Sequence, residues 1–462
     1  MLVGTGSGLL LAGAVVSLVF VWLVWPRRSD ATPRWLTLIL LLIMFGSVVP
    51  TSVALTVQVL VIVGSYAAWL LQRADDRRGA AVVIWVTVIG LLWFLFMFHP
   101  NIPGLDVGLL GLRKTVFCLF GLVLGVAVPR PLLDAVEMSV VKVLALAVGA
   151  SIALHVFAPQ WEQTIVVRSA DMYTSSIDGI QRLQGVFAGP FHVAIAALLL
   201  VVWGVVRIRE HRIGAPLAIG LGGVAVYLTA VRTAYVALLV AICAIILTSR
   251  TLGRVVRRLA ALLLLGVIVF AVIDAVAPGV SQMVDSIAGF STDRRFLGRF
   301  DGYREGFGLF LSSPVIGWGA GSAGDTLGVF FAGGEHVTSH NVLLKILVEG
   351  GLLGGLAWLG LAIAVVRNLR RGDPRTEIAV GAVGVVLGMG ITGSSLEALP
   401  PTYVAFMFVG LALRRTAEGA AGASASEGAH GRLEPTRGGE ILAQRLGSLE
   451  PRRGYRSRGA HD

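Results

Sequence analysis

Apolar residues in this chain are grouped into blocks of about 20 residues, and this grouping limits the possible folds more than any other feature. A helix of about 20 residues spans the hydrocarbon core of a bilayer. Inside lipid, helices and closed barrels are the structures that satisfy their own backbone hydrogen bonds. The content of 56% hydrophobic and 14% charged residues excludes a soluble globular or a disordered protein, because soluble domains carry about 25% charged residues. The sequence therefore predicts an all-α polytopic membrane protein.

Thirteen apolar blocks can be distinguished, and they predict about 12–13 transmembrane helices. The blocks lie at 3–25, 35–50, 52–71, 80–98, 108–128, 138–157, 188–206, 213–231, 233–249, 259–278, 340–366, 377–398 and 402–413. Cys118 and Cys243 both lie within such blocks, so the chain is not built on disulfides.

Basic residues divide unequally between the two sets of loops that alternate along the blocks. One set holds 19 Lys and Arg residues and the opposite set holds ten. Cytoplasmic loops carry the excess of basic residues, so the first set is assigned to the cytoplasm and the amino terminus to the outside. No basic residue precedes the first block, whereas Arg27 and Arg28 follow it, which argues against a cleaved signal peptide.

Residues 414–462 differ in composition from residues 1–413. They are rich in Gly, Ala, Ser, Glu and Arg, and they hold nine of the 38 basic residues. Such a segment cannot bury enough apolar surface to fold. We expect 1–413 to be a transmembrane catalytic domain and 414–462 to be a disordered basic cytoplasmic tail, attracted to anionic lipid headgroups rather than to nucleic acid.

Two outer loops, at about 158–187 and 279–339, are too long to be simple connections. Both are rich in aromatic residues, which favours loops folded over the helices. Apolar residues recur at helical spacing in 299–311, which predicts an amphipathic helix at the membrane surface that ends at 312–314. The same loops hold most of the outer arginines. A guanidinium matches the oxygens of phosphate, so these arginines indicate either an anionic ligand or surface ion pairs.

Three residues beside apolar blocks have alternative interpretations. Arg232 lies between two blocks with almost no loop. It is either a side chain at a helix end that snorkels to the membrane surface or an anion-binding group in an outer cavity. His340 lies where the second long loop enters the next helix. It is either a helix cap or a base that accepts a proton from a hydroxyl. Glu349 lies nine residues further in the apolar part and needs a partner, for which Lys345, four residues earlier, is the candidate.

Metal and nucleotide motifs are absent from the sequence. His, Cys, Asp and Glu do not cluster with ligand spacing, and no phosphate-binding loop of the ATPase type occurs. We therefore expect chemistry without a metal or a cofactor, on an anionic substrate that is delivered at the outer leaflet.

Four groups of residues resemble the O-antigen ligase and O-antigen polymerase superfamily of bacterial envelope glycosyltransferases, over about 180–355. The groups are Arg182, Gly185 and Pro190; Arg232, Thr233 and Ala234; Arg299, Tyr303, Gly306, Pro314, Gly317 and Gly319; and His340, Asn341, Leu344, Glu349, Gly351 and Gly354. The chain departs from the family pattern at Val231, where Ser is frequent, and at His192, where Asn is frequent. Family members also have about 12 helices with both termini inside, unlike the charge count above.

The resemblance implies a type-C glycosyltransferase-like fold and transfer of a glycan from a polyprenyl-diphosphate carrier to a sugar hydroxyl of a glycan or glycolipid. It implies that Arg232 and Arg299 hold the diphosphate and that His340 activates the hydroxyl, and we expect a further set to contact substrate: Arg182, Arg295, Tyr303, Arg304 and Glu349. The expected location is the bacterial cytoplasmic membrane, with the active site facing outward. Ligase and polymerase are not distinguished by these motifs.

Two other functions are compatible with the sequence. One is a transporter or flippase of an anionic envelope lipid or polymer, in which the arginines line a pathway. The other is a non-catalytic partner in envelope assembly that docks through the basic tail.

Overall fold

A computed structural model describes residues 31–48, 51–71, 77–168, 176–177, 180–208, 210–211, 213–249, 253, 294–331 and 334–414. The predicted helices at 3–25 and 259–278 lie outside these residues. So does the predicted disordered tail, apart from Arg414.

The described part of the chain is built from helices, with one short hairpin. The helices are α1 Ala31–Met44, α2 Thr51–Leu71, α3 Arg77–Phe96, α4 Leu105–Val116, α5 Phe120–Val126, α6 Leu133–Phe157, α7 Pro159–Arg168, α8 Pro190–Arg207, α9 Gly214–Thr229, α10 Arg232–Thr248, α11 Arg294–Ser312, α12 Val342–Asn368, α13 Pro374–Gly390 and α14 Leu399–Leu413. Single 3-10 turns span Phe117–Leu119, Arg130–Leu132, Gly328–Phe330 and Ser395–Glu397, and strands β1 Ser176–Ile177 and β2 Ile180–Gln181 pair antiparallel.

Five helical stretches among the described residues are long and apolar enough to cross a membrane. They are Gly79–Phe96, Leu105–Val126, Arg130–Phe157, Pro190–Arg207 and Val342–Asn368. Shorter apolar helices cover Thr56–Leu71, Gly214–Thr229, Arg232–Thr248 and Leu399–Leu413. The chain is thus an all-α, multi-pass membrane protein, as predicted. Of the long stretches, Pro190–Arg207 is 94% buried inside the protein, which places α8 at the centre of the bundle.

Small residues bring the helices around this centre into close contact. A Cβ atom added at Gly388 of α13 would lie 2.5 Å from Ala237 Cα of α10, and one added at Gly384 would lie 2.7 Å from Ala241 Cα. Such contacts allow helices in lipid to pack backbone against backbone. The two helices run antiparallel, so Arg232, the first residue of α10, lies at the level of the loop that follows α13.

α12 was predicted as one continuous helix over 340–366, and this prediction is wrong at its midpoint. Gly351 has φ +58° and ψ −156°, outside the helical region. The amides of Leu352 and Leu353 therefore no longer donate to the carbonyls of Val348 and Glu349, as they would in an unbroken helix. The segment 314–319 of the outer loop supplies all four missing partners: Leu352 N–H donates to Pro314 O, Leu353 N–H to Val315 O, Trp318 N–H to Val348 O and Gly319 N–H to Glu349 O.

The helices differ most from the apolar blocks at four other places. α1 ends at Met44 rather than at residue 50, and the block at 108–128 is divided by the turn Phe117–Leu119. α6 begins at Leu133, five residues before the predicted start, and α13 ends at Gly390 rather than at residue 398. The residues after Gly390 include Thr392, Gly393 and Ser394, which favour turns over helix. They form a loop at 391–398 that apolar content alone did not separate from the helix.

The outer loops are folded where the structure describes them. The first contains α7 and the β1–β2 hairpin. The second contains the predicted amphipathic helix, which begins at Arg294 and ends at Ser312, as the following Ser313 and Pro314 indicated. Glu162 of α7 fixes the first loop, because its carboxylate accepts hydrogen bonds from the amides of Gln184 at 2.6 Å and Gly185 at 2.7 Å.

An ion-pair network lies at the other end of the bundle. Arg207 at the end of α8 and Arg375 at the start of α13 both donate to the buried carboxylate of Glu137, at 2.8 Å and 3.2 Å. α8 and α13 each run from this network to the end of the bundle that carries the loop 391–398. The network and His340 therefore lie at opposite ends of the bundle.

Candidate active site

The carbonyl oxygen of Ile391 is the point where three segments meet. It accepts a hydrogen bond from the Tyr303 hydroxyl at 2.6 Å and from the Asn341 side-chain amide at 3.4 Å. Tyr303 belongs to α11, Asn341 caps α12, and Ile391 opens the loop 391–398. The segments that carry the predicted residues Arg299, Tyr303 and His340 are therefore adjacent.

α11 is held against the start of α12 by two glycines. A Cβ at Gly302 would lie 2.6 Å from Thr338 O and 3.8 Å from the His340 ring, and one at Gly306 would lie 2.7 Å from a Leu344 methyl. A side chain at either position would push α11 away from His340. The opposite face of α11 exposes Phe300, Phe307 and Leu311, which agrees with an amphipathic helix.

His340 occupies a constrained position one residue before the helix cap. Its φ is +45°, a region that residues other than glycine adopt uncommonly. The next residue, Asn341, accepts hydrogen bonds on its side-chain oxygen from the amides of Leu343 at 2.9 Å and Leu344 at 3.0 Å, so it is the N-cap of α12. The helix cap is therefore Asn341 and not His340. The imidazole of His340 is not used for capping.

The imidazole of His340 is paired with Asp325. Nδ1 of His340 lies 3.1 Å from Oδ1 of Asp325, and the two side chains are 33% and 16% exposed. The other carboxylate oxygen, Oδ2, accepts from the Ser394 amide at 2.9 Å. Burial alone would raise the pKa of Asp325, but the hydrogen bond and charge of His340, with the Ser394 amide and Lys345, hold this pKa below its usual value.

A buried charge cluster lies beneath this pair. Lys345 Nζ is 2.6 Å from Glu349 Oε1 and 3.1 Å from Glu397 Oε1, and the three side chains are at most 1% exposed. The predicted pairing of Lys345 with Glu349 is confirmed, and Glu397 is an additional partner. The Asp325 amide donates to Glu397 Oε1 at 3.2 Å, so the cluster and the His340–Asp325 pair are connected.

Glu349 is enclosed by donors. Trp93 Nε1–H and the Thr115 hydroxyl each donate to its Oε2 at 2.8 Å, and the Gly321 amide donates to Oε1 at 3.2 Å. Together with Lys345, these donors bind both oxygens of the Glu349 carboxylate. The contacts connect α3, α4, α12 and the outer loop. This arrangement favours a structural role for Glu349 over the predicted contact with substrate.

Arg232 is the first residue of α10 and follows a sharp turn at Ala230, which has φ +48°. An arginine at this position adds positive charge to the positive end of the helix dipole. Both positive charges lie at the level of the loop 391–398. Arg299 lies one turn before Tyr303 in α11, on the side of α11 that faces this loop.

Known protein families give an independent comparison with this geometry. Residues 217–359 match the family model described as O-antigen ligase. This region of the chain is similar to O-antigen ligases. The resemblance to the O-antigen ligase and polymerase superfamily is therefore confirmed. No curated protein matches the chain.

The matched region 217–359 contains Arg232, Arg299, Asp325 and His340, whereas Glu397 lies beyond it. It also contains Arg304, which is exposed, and the backbone of Arg295. The side chain of Arg295 lies outside the described part of the structure. The roles assigned to these arginines from the sequence stay predictions.

Arg182 lies before the matched region 217–359 and contacts the end of α9, the first helix in that region. It is 8% exposed, and its Nε–H donates to the Thr229 carbonyl at the end of α9 at 2.9 Å. The adjacent amide of Leu183 donates to Leu228 O at 2.9 Å. Arg182 thus fixes the turn that precedes Arg232. This structural role is separate from its predicted contact with substrate, which stays a prediction.

Asp325 and Glu397 were not predicted as site residues. Asp325 is the only acidic residue between Glu305 and Glu335, and this isolation in a long loop was the available signal. Glu397 was hidden because its loop was assigned to a helix. Among the described residues, no three His, Cys, Asp or Glu side chains are grouped so that they could hold a metal ion.

Proposed function

We propose that the protein is a glycosyltransferase that acts on the outer face of the bacterial cytoplasmic membrane. It transfers a glycan from a polyprenyl-diphosphate carrier to a hydroxyl of an acceptor sugar, without a metal ion. The family supports a membrane glycosyltransferase of the ligase or polymerase type. The observation that carries the particular mechanism is the His340–Asp325 pair beside α11 and the loop 391–398.

In this mechanism His340 is the general base. Its unprotonated ring nitrogen removes the proton from the acceptor hydroxyl as the oxygen attacks the anomeric carbon of the donor glycan. The new bond joins that oxygen to the anomeric carbon. The bond between the anomeric carbon and the phosphate oxygen breaks, and its electron pair leaves with the polyprenyl diphosphate. General bases of this kind contribute roughly 100- to 10,000-fold to a rate.

Arg232 and Arg299 stabilise the leaving diphosphate. Negative charge accumulates on its oxygens in the transition state, and fixed guanidinium donors favour that charge without a metal. The start of α10 contributes its dipole to the same end of the protein. The lipid portion of the donor lies along the membrane-facing side of the helices, beside the apolar face of α11.

The distribution of charge supports the outward orientation. The Arg207–Glu137–Arg375 network belongs to the basic end of the bundle, and basic ends of membrane proteins face the cytoplasm. The end that carries His340 is then outside, where polyprenyl-linked glycans are available after translocation.

The test uses purified protein in liposomes with an undecaprenyl-diphosphate oligosaccharide and glycolipids extracted from the cell envelope. We expect release of undecaprenyl diphosphate that persists in EDTA. Arg232→Ala and Arg299→Ala should each reduce release by roughly 100-fold or more, and His340→Ala by roughly 100- to 10,000-fold. Arg370→Ala, an exposed arginine at the opposite end, is the matched control and should keep wild-type release.

The outcomes separate the parts of the proposal. Release that requires an added divalent cation would contradict metal independence, and full release by His340→Ala would contradict the general base. Retained binding of the donor without any release would favour transport of a lipid-linked glycan. Product length distinguishes a single transfer from polymerisation.

A further inference from the structure

We infer that Asp325 is the positioning residue for His340: it fixes the proton on Nδ1, keeps Nε2 free to accept the proton of the acceptor hydroxyl, and stabilises the imidazolium that results. This inference rests on the proposed function. It adds a residue and a defined tautomer that the sequence motifs did not indicate.

The contact itself sets the tautomer. An ionised carboxylate has only acceptors, so its contact with Nδ1 at 3.1 Å favours a proton on that nitrogen. The neutral imidazole then carries no proton on Nε2, which is the form that a general base needs. The imidazole is 33% exposed, so the ring is accessible from outside the protein.

The side chain of Asp325 is not free to rotate toward other hydrogen-bond partners. Its Oδ2 is occupied by the Ser394 amide at 2.9 Å, and its own amide is bound to Glu397 at 3.2 Å. The carboxylate is therefore held from the loop 391–398 and faces the start of α12.

His340 is held from the other side as well. Its backbone has φ +45° and is followed at once by the cap residue Asn341. This backbone shape is uncommon for a residue with a side chain and is maintained by the cap and by α11 through Gly302. Both members of the pair are thus fixed by separate elements, and their contact sets the orientation of the ring.

Several other charges influence the pair and enter any pH profile. Asp325 is the carboxylate in direct contact. Lys345 and Glu397 lie beneath it, Arg299 and Tyr303 approach from α11, and His336 approaches from the preceding loop. All except Asp325 are unchanged in the test below, so a change in profile is assigned to the contact itself.

The test compares Asp325→Asn with Glu335→Gln, a carboxylate-to-amide change at an exposed position of the same loop. An asparagine can still accept from the Ser394 amide, but its NH2 group would donate to Nδ1 and move the ring proton to Nε2. We expect release of undecaprenyl diphosphate to fall by roughly 10- to 1,000-fold, with unchanged binding of the donor lipid. The pH–rate profile of Asp325→Asn should also differ from that of the wild type, because a negative charge next to the imidazole is lost.

A measurement that needs no activity accompanies the kinetics. In protein labelled with 15N-histidine, His340 is identified by the signal that disappears in His340→Ala. In the wild type at a pH where the ring is neutral, its Nδ1 should be the protonated nitrogen; in Asp325→Asn, Nε2 should be. Glu335→Gln should match the wild type in both experiments.

Two results would overturn the inference: wild-type kinetics and pH profile in Asp325→Asn while His340→Ala is inactive, or a wild-type ring already protonated on Nε2. The first result leaves the proposed function intact. Full activity of His340→Ala would instead refute the general base itself. If Asp325→Asn does not fold, Asp325→Glu provides the second variant, and restored folding with the wild-type tautomer and partial activity is expected.

Discussion

The ammonium group of Lys345 lies 2.6 Å from the carboxylate of Glu349, four residues later in α12, and neither side chain has any exposed surface. With Glu397 at 3.1 Å, one buried ammonium group pairs with two buried carboxylates. A buried charge that loses its partner is strongly destabilising. The pair therefore supports the floor of the candidate active site, on which the Asp325 loop rests.

The first prediction concerns this cluster. Lys345→Met should lower the free energy of unfolding by about 3–5 kcal/mol, because two carboxylates are left without their cation in an apolar setting. The measurement is thermal unfolding in detergent. The double variant Lys345→Met, Glu349→Gln should be more stable than Lys345→Met alone, and a double variant that is equally unstable or worse would contradict the pairing energy assigned here.

The break in α12 gives a second prediction. Gly351→Ala should destabilise the protein by about 1–3 kcal/mol, since its φ is +58° and the new Cβ would lie 2.4 Å from the Val315 backbone. Gly149→Ala in α6 is the matched control, because no atom lies within 4 Å of its Cβ. The control should be neutral or slightly stabilising, as alanine favours helix. Equal unfolding temperatures for the two variants would argue against the break.

Tyr303 provides a third prediction, for activity. Tyr303→Phe removes the hydrogen bond to Ile391 O, which is worth about 1 kcal/mol. Because this bond holds α11 against the loop 391–398, we expect a several-fold loss of release of undecaprenyl diphosphate with little change in unfolding temperature. Tyr235→Phe, at a hydroxyl-bearing ring 40% exposed on α10, should have no effect on release.

A fourth prediction concerns pH and the stability of the outer loop. Burial, and then the charge of Lys345, lower the pKa of His336 from 6.5 to about 4. Between these values the unfolded chain binds the proton more readily than the folded one, so the free energy of unfolding should fall as the pH drops from about 6.5 to 4, by no more than about 3 kcal/mol.

Unfolding temperatures measured between pH 7 and pH 4 test this dependence. His336→Phe keeps a ring against Phe331, from which the His336 ring centroid is 5.1 Å away, and should flatten the dependence in this range. Asp325, whose pKa is also lowered, changes stability in the same direction but at lower pH: its stabilisation is present above its unfolded pKa of about 3.9 and is lost below it. An unchanged slope in His336→Phe would assign the dependence to another group.

The fifth prediction concerns sidedness. Cys118 is buried and Cys243 lies within the apolar helix α10, so a membrane-impermeant thiol reagent should not label the wild type. In a Cys243→Ala background, Glu335→Cys should be labelled in intact spheroplasts, whereas Arg370→Cys should be labelled only after permeabilisation. The reverse pattern would place His340 on the cytoplasmic side.

The helical class and the position of His340 could be predicted from the sequence because apolar length and isolated polar residues are local signals. The pairing of Lys345 with Glu349 was predictable for the same reason, since it depends only on a spacing of four. Glu397 and Asp325 were not, because each gains its role from a contact across more than 14 residues of chain. The break at Gly351 was equally hidden, as its cause is a segment more than 30 residues earlier that binds the freed backbone groups.

That exchange of backbone partners has a practical consequence for engineering. The outer loop is not a detachable lid, because its residues 314–319 complete the hydrogen bonding of a helix inside the membrane. A chimera that replaces the loop alone would leave two amides and two carbonyls of α12 unmatched in apolar surroundings, which is unfavourable in lipid. Exchanges between relatives intended to alter glycan selectivity should therefore take the segment from α11 through the second half of α12 as one unit.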